Sequence, residues 1–267
     1  MESLAAYDDS EEEGEQPAAE ERNGGGDERG GVHAEKEVSR DGRVRSFPHV
    51  KGNFPGFVFV PIIGAGDGLK AAAMQAVEAA ALVLGPSRVL HRIPLSEVHL
   101  SLSRTFAVRR PQIDSLVQLL RDQLHALPRF TATLSGAALY TNDDASRTFV
   151  GLRLDAGEKR THMMVRGVDR ALDTFRVPPY YSDLSFHVSV AWTTGALEPG
   201  TPSVLNLAPL AAGAAEPGGE PGGEPGGEPG GGAGGGAGAA AGKRVDFAVD
   251  AAKAKIGART YRFELRS

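Results

Sequence analysis

The chain repeats one short pattern, Val98-His99-Leu100-Ser101-Leu102 and then Phe186-His187-Val188-Ser189-Val190. Apolar and polar residues alternate strictly in both copies, which predicts two β-strands that each bury one face. Because residues two apart on a strand point to the same side, each strand carries a histidine and a serine together, opposite its apolar residues. The same alternation extends the polar face of the first strand to Ser103 and places Trp192 on the apolar face of the second. We expect the two strands to meet across one cleft.

A histidine beside a serine on two facing strands suits the cleavage of a phosphodiester. Transesterification of RNA needs a base for the 2′-hydroxyl proton and an acid for the departing 5′ oxygen, on opposite sides of the phosphorus. Histidine can serve as either near neutral pH. We therefore predict His99 and His187 as the catalytic pair, with Ser101 and Ser189 donating hydrogen bonds to the non-bridging phosphate oxygens. This chemistry requires no metal and no cofactor.

Two parts of the chain have a composition that does not support a folded core. Residues 1–39 are rich in Glu, Asp and Gly and contain 13 acidic and 3 basic residues. Residues 213–242 include four repeats of Glu-Pro-Gly-Gly and then continue in Gly and Ala alone. We predict a disordered acidic arm over 1–39 and one two-lobed domain over 40–267, which contains a disordered insert at 213–242.

The rest of the chain is basic, although the whole chain has a net charge of −5. Outside the arm and the insert there are 17 acidic and 26 basic residues, which favours a polyanionic ligand such as RNA. The chain has no cysteine, so disulfides, thiolate metal sites and cysteine nucleophiles are excluded. The acidic beginning is unlike a signal peptide, and no apolar run is long enough for a membrane span. We expect a soluble, intracellular protein that binds no membrane.

The pattern of apolar residues predicts an α/β (α+β) fold with two similar lobes. Helices are predicted over 67–84, 111–128 and 158–175, the last with Met163 in its apolar stripe. Strands are predicted over 57–62, 98–105, 130–141, 148–154, 186–193, 245–249 and 260–265, with the last two paired. This order indicates a pseudo-symmetric, two-lobed structure, with mainly antiparallel sheets, outer helices and a central cleft that holds both motif strands.

This motif pair and order of elements resemble the 2H phosphoesterase superfamily and, within it, the U6 small nuclear RNA phosphodiesterase (Usb/Mpn) family. The resemblance spans about residues 42–193 and, more weakly, Lys255-Ile256-Gly257. The other segments that carry it are Gly42-Arg43-Val44-Arg45-Ser46-Phe47-Pro48-His49, Phe59-Val60-Pro61, His99-Leu100-Ser101-Leu102-Ser103, Tyr140-Thr141-Asn142, Arg147-Thr148-Phe149-Val150-Gly151-Leu152 and Tyr181 with Ser185-Phe186-His187-Val188-Ser189-Val190-Ala191-Trp192.

The resemblance implies a 3′→5′ exoribonuclease that trims the oligouridine tail of U6 small nuclear RNA. Such an enzyme would act without a metal and leave a 2′,3′-cyclic phosphate or a product opened from it. The resemblance also implies that Tyr181 stacks on the terminal base, which is a sequence-tolerant way to hold single-stranded RNA. We expect a nuclear protein that acts as a monomer.

Two other functions stay open. One is a different 2H activity, either a 2′,3′-cyclic phosphodiesterase or a 2′–5′ RNA ligase-like activity. The other is a non-catalytic RNA-binding protein, against which the retention of both His99 and His187 argues. Which histidine is the base, the final end chemistry and the preference for uridine over adenosine are also left open by the pattern.

Overall fold

A computed structural model of the chain describes residues 52–182, 184–207 and 244–267, with three helices and eleven strands in these ranges. The predicted acidic arm, residues 40–51 and the predicted insert lie outside the described residues. In chain order the elements are β1 (Asn53–Pro61), α1 (Gly66–Leu84), β2 (His91–Arg92), β3 (His99–Ser101), β4 (Phe106–Arg109), α2 (Arg110–His125), β5 (Phe130–Thr141), β6 (Arg147–Ala156), α3 (Glu158–Asp173), β7 (His187–Thr194), β8 (Val204–Leu205), β9 (Val245–Val249), β10 (Ala251–Ile256) and β11 (Arg259–Glu264).

The three predicted helices are all present, near their predicted bounds. Helix α1 ends at Gly85, whose φ of 77° lies in the left-handed region that glycine accepts without strain. Helix α2 has Pro111 in its first turn, where the missing N–H costs no hydrogen bond. The prediction for α3 was wrong at Met163, which is 53% exposed, because the buried side of the helix is centred on Met164 and Val168.

The strands form one antiparallel sheet in the order β11-β10-β1-β3-β7-β6-β5-β8. In addition, β2 pairs with β7, β4 with β1 and β9 with β5. The two motif strands, β3 and β7, are direct neighbours at the centre of the sheet. The halves of the sheet on either side of this pair are the two lobes, and the predicted fold class is confirmed.

The predicted pairing of the last two strands was wrong. Strand β9 pairs with β5, whereas β11 pairs with β10, a strand that the sequence pattern did not predict. The sequence of β10 is Ala-Ala-Lys-Ala-Lys-Ile, and alanine and lysine are depleted in strands, so its alternation carries little signal. Strand β10 also pairs with β1, so each half of the sheet combines early and late parts of the chain.

One face of the central strands is buried in the core and the other carries the motif side chains. Val58, Leu100 and Val188 are at most 1% exposed and belong to the core that also includes the buried faces of the helices. Helix α1 packs against β5–β9, whereas α2 lies against β4 and β11 and is covered by α3. The helices therefore support the strands from the core side and leave the motif face free for a ligand.

Candidate active site

The register of β3 and β7 brings the four predicted site residues together. Leu100 lies opposite Val188 in this antiparallel pair. Counting one residue in each direction places His99 opposite Ser189 and Ser101 opposite His187, all on the same face. The two histidines are thus diagonal neighbours, a relation that separates backbone positions by about 7–8 Å. Each imidazole lies beside a hydroxyl of its own strand and one of the neighbouring strand.

Both imidazoles are held by the same local hydrogen bond. Nδ1 of His99 lies 2.8 Å from the carbonyl oxygen of Glu97, and Nδ1 of His187 lies 2.8 Å from that of Ser185. A carbonyl oxygen only accepts, so each Nδ1 carries the proton and donates it. In the neutral ring Nε2 is then the basic nitrogen, and in the charged ring Nε2–H is the acid. Each of the two strands therefore presents an Nε2 atom that is able to take up or give up a proton.

The surroundings of both histidines favour their neutral forms. Burial lowers the pKa of His99 below its ordinary value of 6.5, although the carbonyl and the charge of Glu97 oppose the shift. Burial likewise lowers the pKa of His187, opposed by the hydrogen bond to Ser185 and reinforced by the charge of His99. Because the two positive charges repel each other, each ring takes up a proton more readily when the other ring is neutral. Acid–base catalysis uses this combination of one charged and one neutral histidine.

His187 is further fixed by a stacked aromatic ring. The rings of Tyr140 and His187 are nearly parallel, with an interplanar angle of 10° and centroids 3.7 Å apart. Gly151 makes this stack possible, because a Cβ atom there would lie 2.8 Å from Tyr140 Cε2 and 2.9 Å from His187 Cδ2. Strand β6 thus has no side chain at the point where the ring of Tyr140 packs on that of His187.

His99 has a different aromatic environment from that of His187. Its ring centroid lies 5.1 Å from Phe59, in an edge-to-face arrangement, and 5.5 Å from Phe57. Both phenylalanines come from β1, the neighbour of β3. The two histidines are therefore alike in their backbone hydrogen bonds and unlike in the rings that surround them.

The prediction that Trp192 faces the core was wrong, because β7 contains a bulge. Val150 lies opposite Ala191 but Gly151 lies opposite Ser189, so β7 has one extra residue. After the bulge Trp192 lies opposite Phe149, which shares its face with Gly151 and hence with Ser189. Trp192 is nevertheless only 6% exposed, because its ring stacks on that of His91 at 4.3 Å.

Ser103 does not join the polar face predicted for the first motif strand. It is 6% exposed, and its hydroxyl accepts a hydrogen bond of 2.9 Å from the backbone N–H of Val58. The same hydroxyl donates to the carbonyl oxygen of Arg104 at 2.8 Å. Strand β3 ends at Ser101, and Ser103 is a structural residue that fixes the chain where it leaves the sheet.

Tyr181 lies in the loop before β7, as predicted, and 37% of it is exposed. The Arg104 guanidinium lies 4.2 Å from the centre of its ring. Arg104 also forms a salt bridge of 3.1 Å with Asp143, at the tip of the β5–β6 hairpin. These two contacts of Arg104 were not predicted. In the sequence, Arg104 is marked only by its position directly after the His-x-Ser-x-Ser motif. The three residues link the loop after β3 to two segments of the other lobe.

Two kinds of feature are absent from the described part of the chain. No group of three or more histidine, aspartate or glutamate side chains there is arranged to hold a metal ion. Among the same residues, no helix combines the length and the apolar composition that crossing a membrane requires.

The chain is similar to several known proteins. A family model described as "HVSL: Uncharacterised conserved protein" matches residues 31–264. The chain is similar to U6 snRNA phosphodiesterase 1 of Xenopus laevis, with 32% identity over 63% of this chain and 65% of that protein. The protein of the same name from Drosophila melanogaster is 36% identical over 58% of each chain. The match thus spans less than two thirds of the length of these curated relatives.

The fold is also similar to a solved structure, Kluyveromyces marxianus Usb1, with a TM-score of 0.52 and 16% identity. This similarity covers 79% of the present chain and 98% of that one. The predicted resemblance to the U6 snRNA phosphodiesterases and the predicted 2H phosphoesterase fold are confirmed. Because the family model matches most of the chain, the protein belongs to the HVSL family.

Proposed function

We propose that this protein is a 3′→5′ exoribonuclease that shortens the oligouridine 3′ end of U6 small nuclear RNA by metal-independent transesterification. The observation that carries the proposal is the diagonal pair of histidines, each with Nδ1 bound to a carbonyl oxygen and Nε2 left for proton transfer. The identity of the RNA is supported by the names of the similar curated proteins, which are U6 snRNA phosphodiesterases.

The proposed reaction begins when the neutral histidine of the pair takes the proton from the 2′-hydroxyl of the penultimate nucleotide. The 2′ oxygen attacks the phosphorus while the 5′ oxygen of the terminal nucleotide departs and receives a proton from Nε2–H of the other histidine. The products are a shortened RNA with a 2′,3′-cyclic phosphate and a free terminal nucleoside. Each positioned proton transfer contributes about 10²–10⁴-fold to the rate.

Ser101 and Ser189 are proposed to bind the phosphate during this reaction. Each lies opposite a histidine in the β3–β7 register, so both hydroxyls border the space between the imidazoles. Donation to the non-bridging oxygens would stabilise the negative charge that develops on them in the transition state. Removal of one such preorganised donor costs about 10²–10³-fold in rate.

Tyr181 is proposed to stack on the base of the terminal nucleotide. Its ring is partly exposed in the loop that leads directly to His187, and Arg104 restrains it from one face. A tyrosine ring holds any base, so this contact supports processing of an end rather than recognition of a sequence. We further propose that the protein acts as a monomer in the nucleus.

The test is incubation of RNA that ends in oligouridine with the protein in EDTA, with product length and end group read by mass spectrometry. We expect stepwise loss of 3′ nucleotides and a cyclic phosphate or its opened product. His99→Ala and His187→Ala should each abolish turnover while RNA binding is retained. Activity only on free 2′,3′-cyclic phosphates, or a requirement for a divalent ion, would contradict the proposal.

A further inference from the structure

The polar face that carries the site continues across β1 onto β10. On β1, Phe59 lies opposite Ser101 of β3 on one side and opposite Lys253 of β10 on the other. Phe57, two residues earlier on β1, lies opposite Lys255. Residues that lie opposite each other in a sheet point to the same side. The two phenylalanines and the two lysines therefore share the face of the motif residues.

The burial pattern agrees with this assignment. Ala252, Ala254 and Ile256 of β10 are at most 2% exposed, whereas the lysines between them are only partly buried. Phe57 and Phe59 are also partly exposed, on either side of the buried Val58. The alternation along both strands thus separates the core from a face that combines aromatic rings and positive charge.

These residues also form a continuous surface with the site. The rings of Phe57 and Phe59 stack with centroids 5.0 Å apart, and both lie against the ring of His99. Adjacent strands are about 4.8 Å apart, and β1 lies between β3 and β10. The backbone of Lys253 therefore lies about 10 Å from that of Ser101, measured across the sheet.

The charge of the two lysines is available to a ligand. Neither Lys253 nor Lys255 forms an ion pair with another described residue, whereas Arg262, opposite Lys253, is bound to Glu264. Flat rings beside free ammonium groups are the combination that proteins use for single-stranded nucleic acid: the rings stack on bases and the charges bind phosphates.

We propose that Phe57, Phe59, Lys253 and Lys255 form a binding track for the nucleotides on the 5′ side of the scissile linkage. This track, which we call the β1–β10 track, rests on the proposed function for the direction of the RNA. The terminal nucleotide lies towards Tyr181, and the preceding chain passes His99, stacks on the phenylalanine rings and places its phosphates by the lysines. The track makes affinity depend on RNA length without selecting a sequence.

The test measures, by fluorescence anisotropy, the binding of 2′-methoxy oligouridines of two and eight nucleotides. Transesterification cannot cleave these RNAs. We expect the wild-type protein to bind the octamer more tightly than the dimer. A double variant, Lys253→Gln with Lys255→Gln, should bind the octamer at least about tenfold more weakly at low salt and the dimer as the wild type does. Its plot of log affinity against log salt for the octamer should be shallower by about 1.4.

The matched control is Lys70→Gln with Lys159→Gln, which removes the same charge from exposed positions on α1 and α3. This control should change octamer binding less than twofold. Equal weakening by both double variants, or equal weakening for dimer and octamer, would overturn the track. Phe59→Leu, which keeps apolar bulk and removes the flat ring, should weaken octamer binding roughly tenfold.

The outcomes separate the track from the proposed function. If the lysine variant loses octamer binding as expected but the wild-type protein does not trim RNA, the track stands and the proposed function fails. If it trims RNA but the lysine variant binds the octamer like the wild type, the proposed function stands and the track fails.

Discussion

The substitution Gly151→Ala tests whether the stack on His187 controls catalysis. The added Cβ would lie 2.8 Å from Tyr140 Cε2 and 2.9 Å from His187 Cδ2, whereas an ordinary contact is 3.4–4 Å. Both rings must therefore move by about 0.5 Å or more. A misplacement of 1 Å among reacting groups can cost about 10²-fold in rate, so we expect the single-turnover rate constant to fall by about tenfold to a hundredfold. Overpacking of this kind costs about 1–3 kcal/mol of stability.

The assay is single-turnover trimming of an oligouridine RNA, with the melting temperature measured on the same samples. Gly68→Ala in α1 is the matched control, because its Cβ would meet no atom closer than 4.0 Å. Alanine is also the better helix former, so the control should keep the wild-type rate and equal or higher stability. A folded Gly151→Ala protein with a rate within twofold of the wild type would show that the stack on His187 does not control the rate.

Four further predictions concern the histidines, Tyr181 and Arg104. Because burial lowers the pKa of both histidines, the bell-shaped profile of kcat/KM should be centred below pH 6.5, and a centre above pH 7 would contradict this. For the same reason the unfolded chain binds more protons than the folded protein near pH 6.5, so the free energy of unfolding should fall as the pH decreases through 6.5. Measured by chemical denaturation, this fall should be smaller in His99→Asn than in the wild type. Tyr181→Ala should weaken use of the RNA end roughly tenfold to a hundredfold, with Tyr181→Phe close to the wild type and the melting temperature unchanged. Arg104→Gln should raise KM more than it lowers kcat, and this penalty should disappear with an RNA whose terminal nucleotide lacks a base.

Local alternation and helical spacing were sufficient to predict the elements that position the site. The repeated His-x-Ser pattern placed two histidines and two serines on one face because period-two alternation is a property of the strand itself. The Gly85-Pro86 pair and Pro111 marked helix ends through backbone restrictions that act in any fold. These predictions depended on nothing beyond neighbouring residues.

The features that were not predicted depend on contacts between distant segments. The bulge at Val190 becomes visible only when β7 is paired with β6, and it turns Trp192 to the other face. Ser103 is not part of the polar face, because its hydroxyl accepts a hydrogen bond from the backbone N–H of Val58, 45 residues away. The Arg104 contact with Tyr181 likewise joins two loops that no local pattern connects.

The most direct test of transesterification by the two histidines is the removal of a single 2′-hydroxyl from the substrate. An oligouridine RNA with one 2′-deoxy sugar at the penultimate position would be incubated in EDTA beside the all-ribose RNA. We expect the all-ribose RNA to be trimmed and the modified RNA to keep its terminal nucleotide, because the nucleophile is missing. Removal of the terminal nucleotide from the modified RNA at the all-ribose rate would show that water or another group attacks. That result would contradict transesterification by His99 and His187.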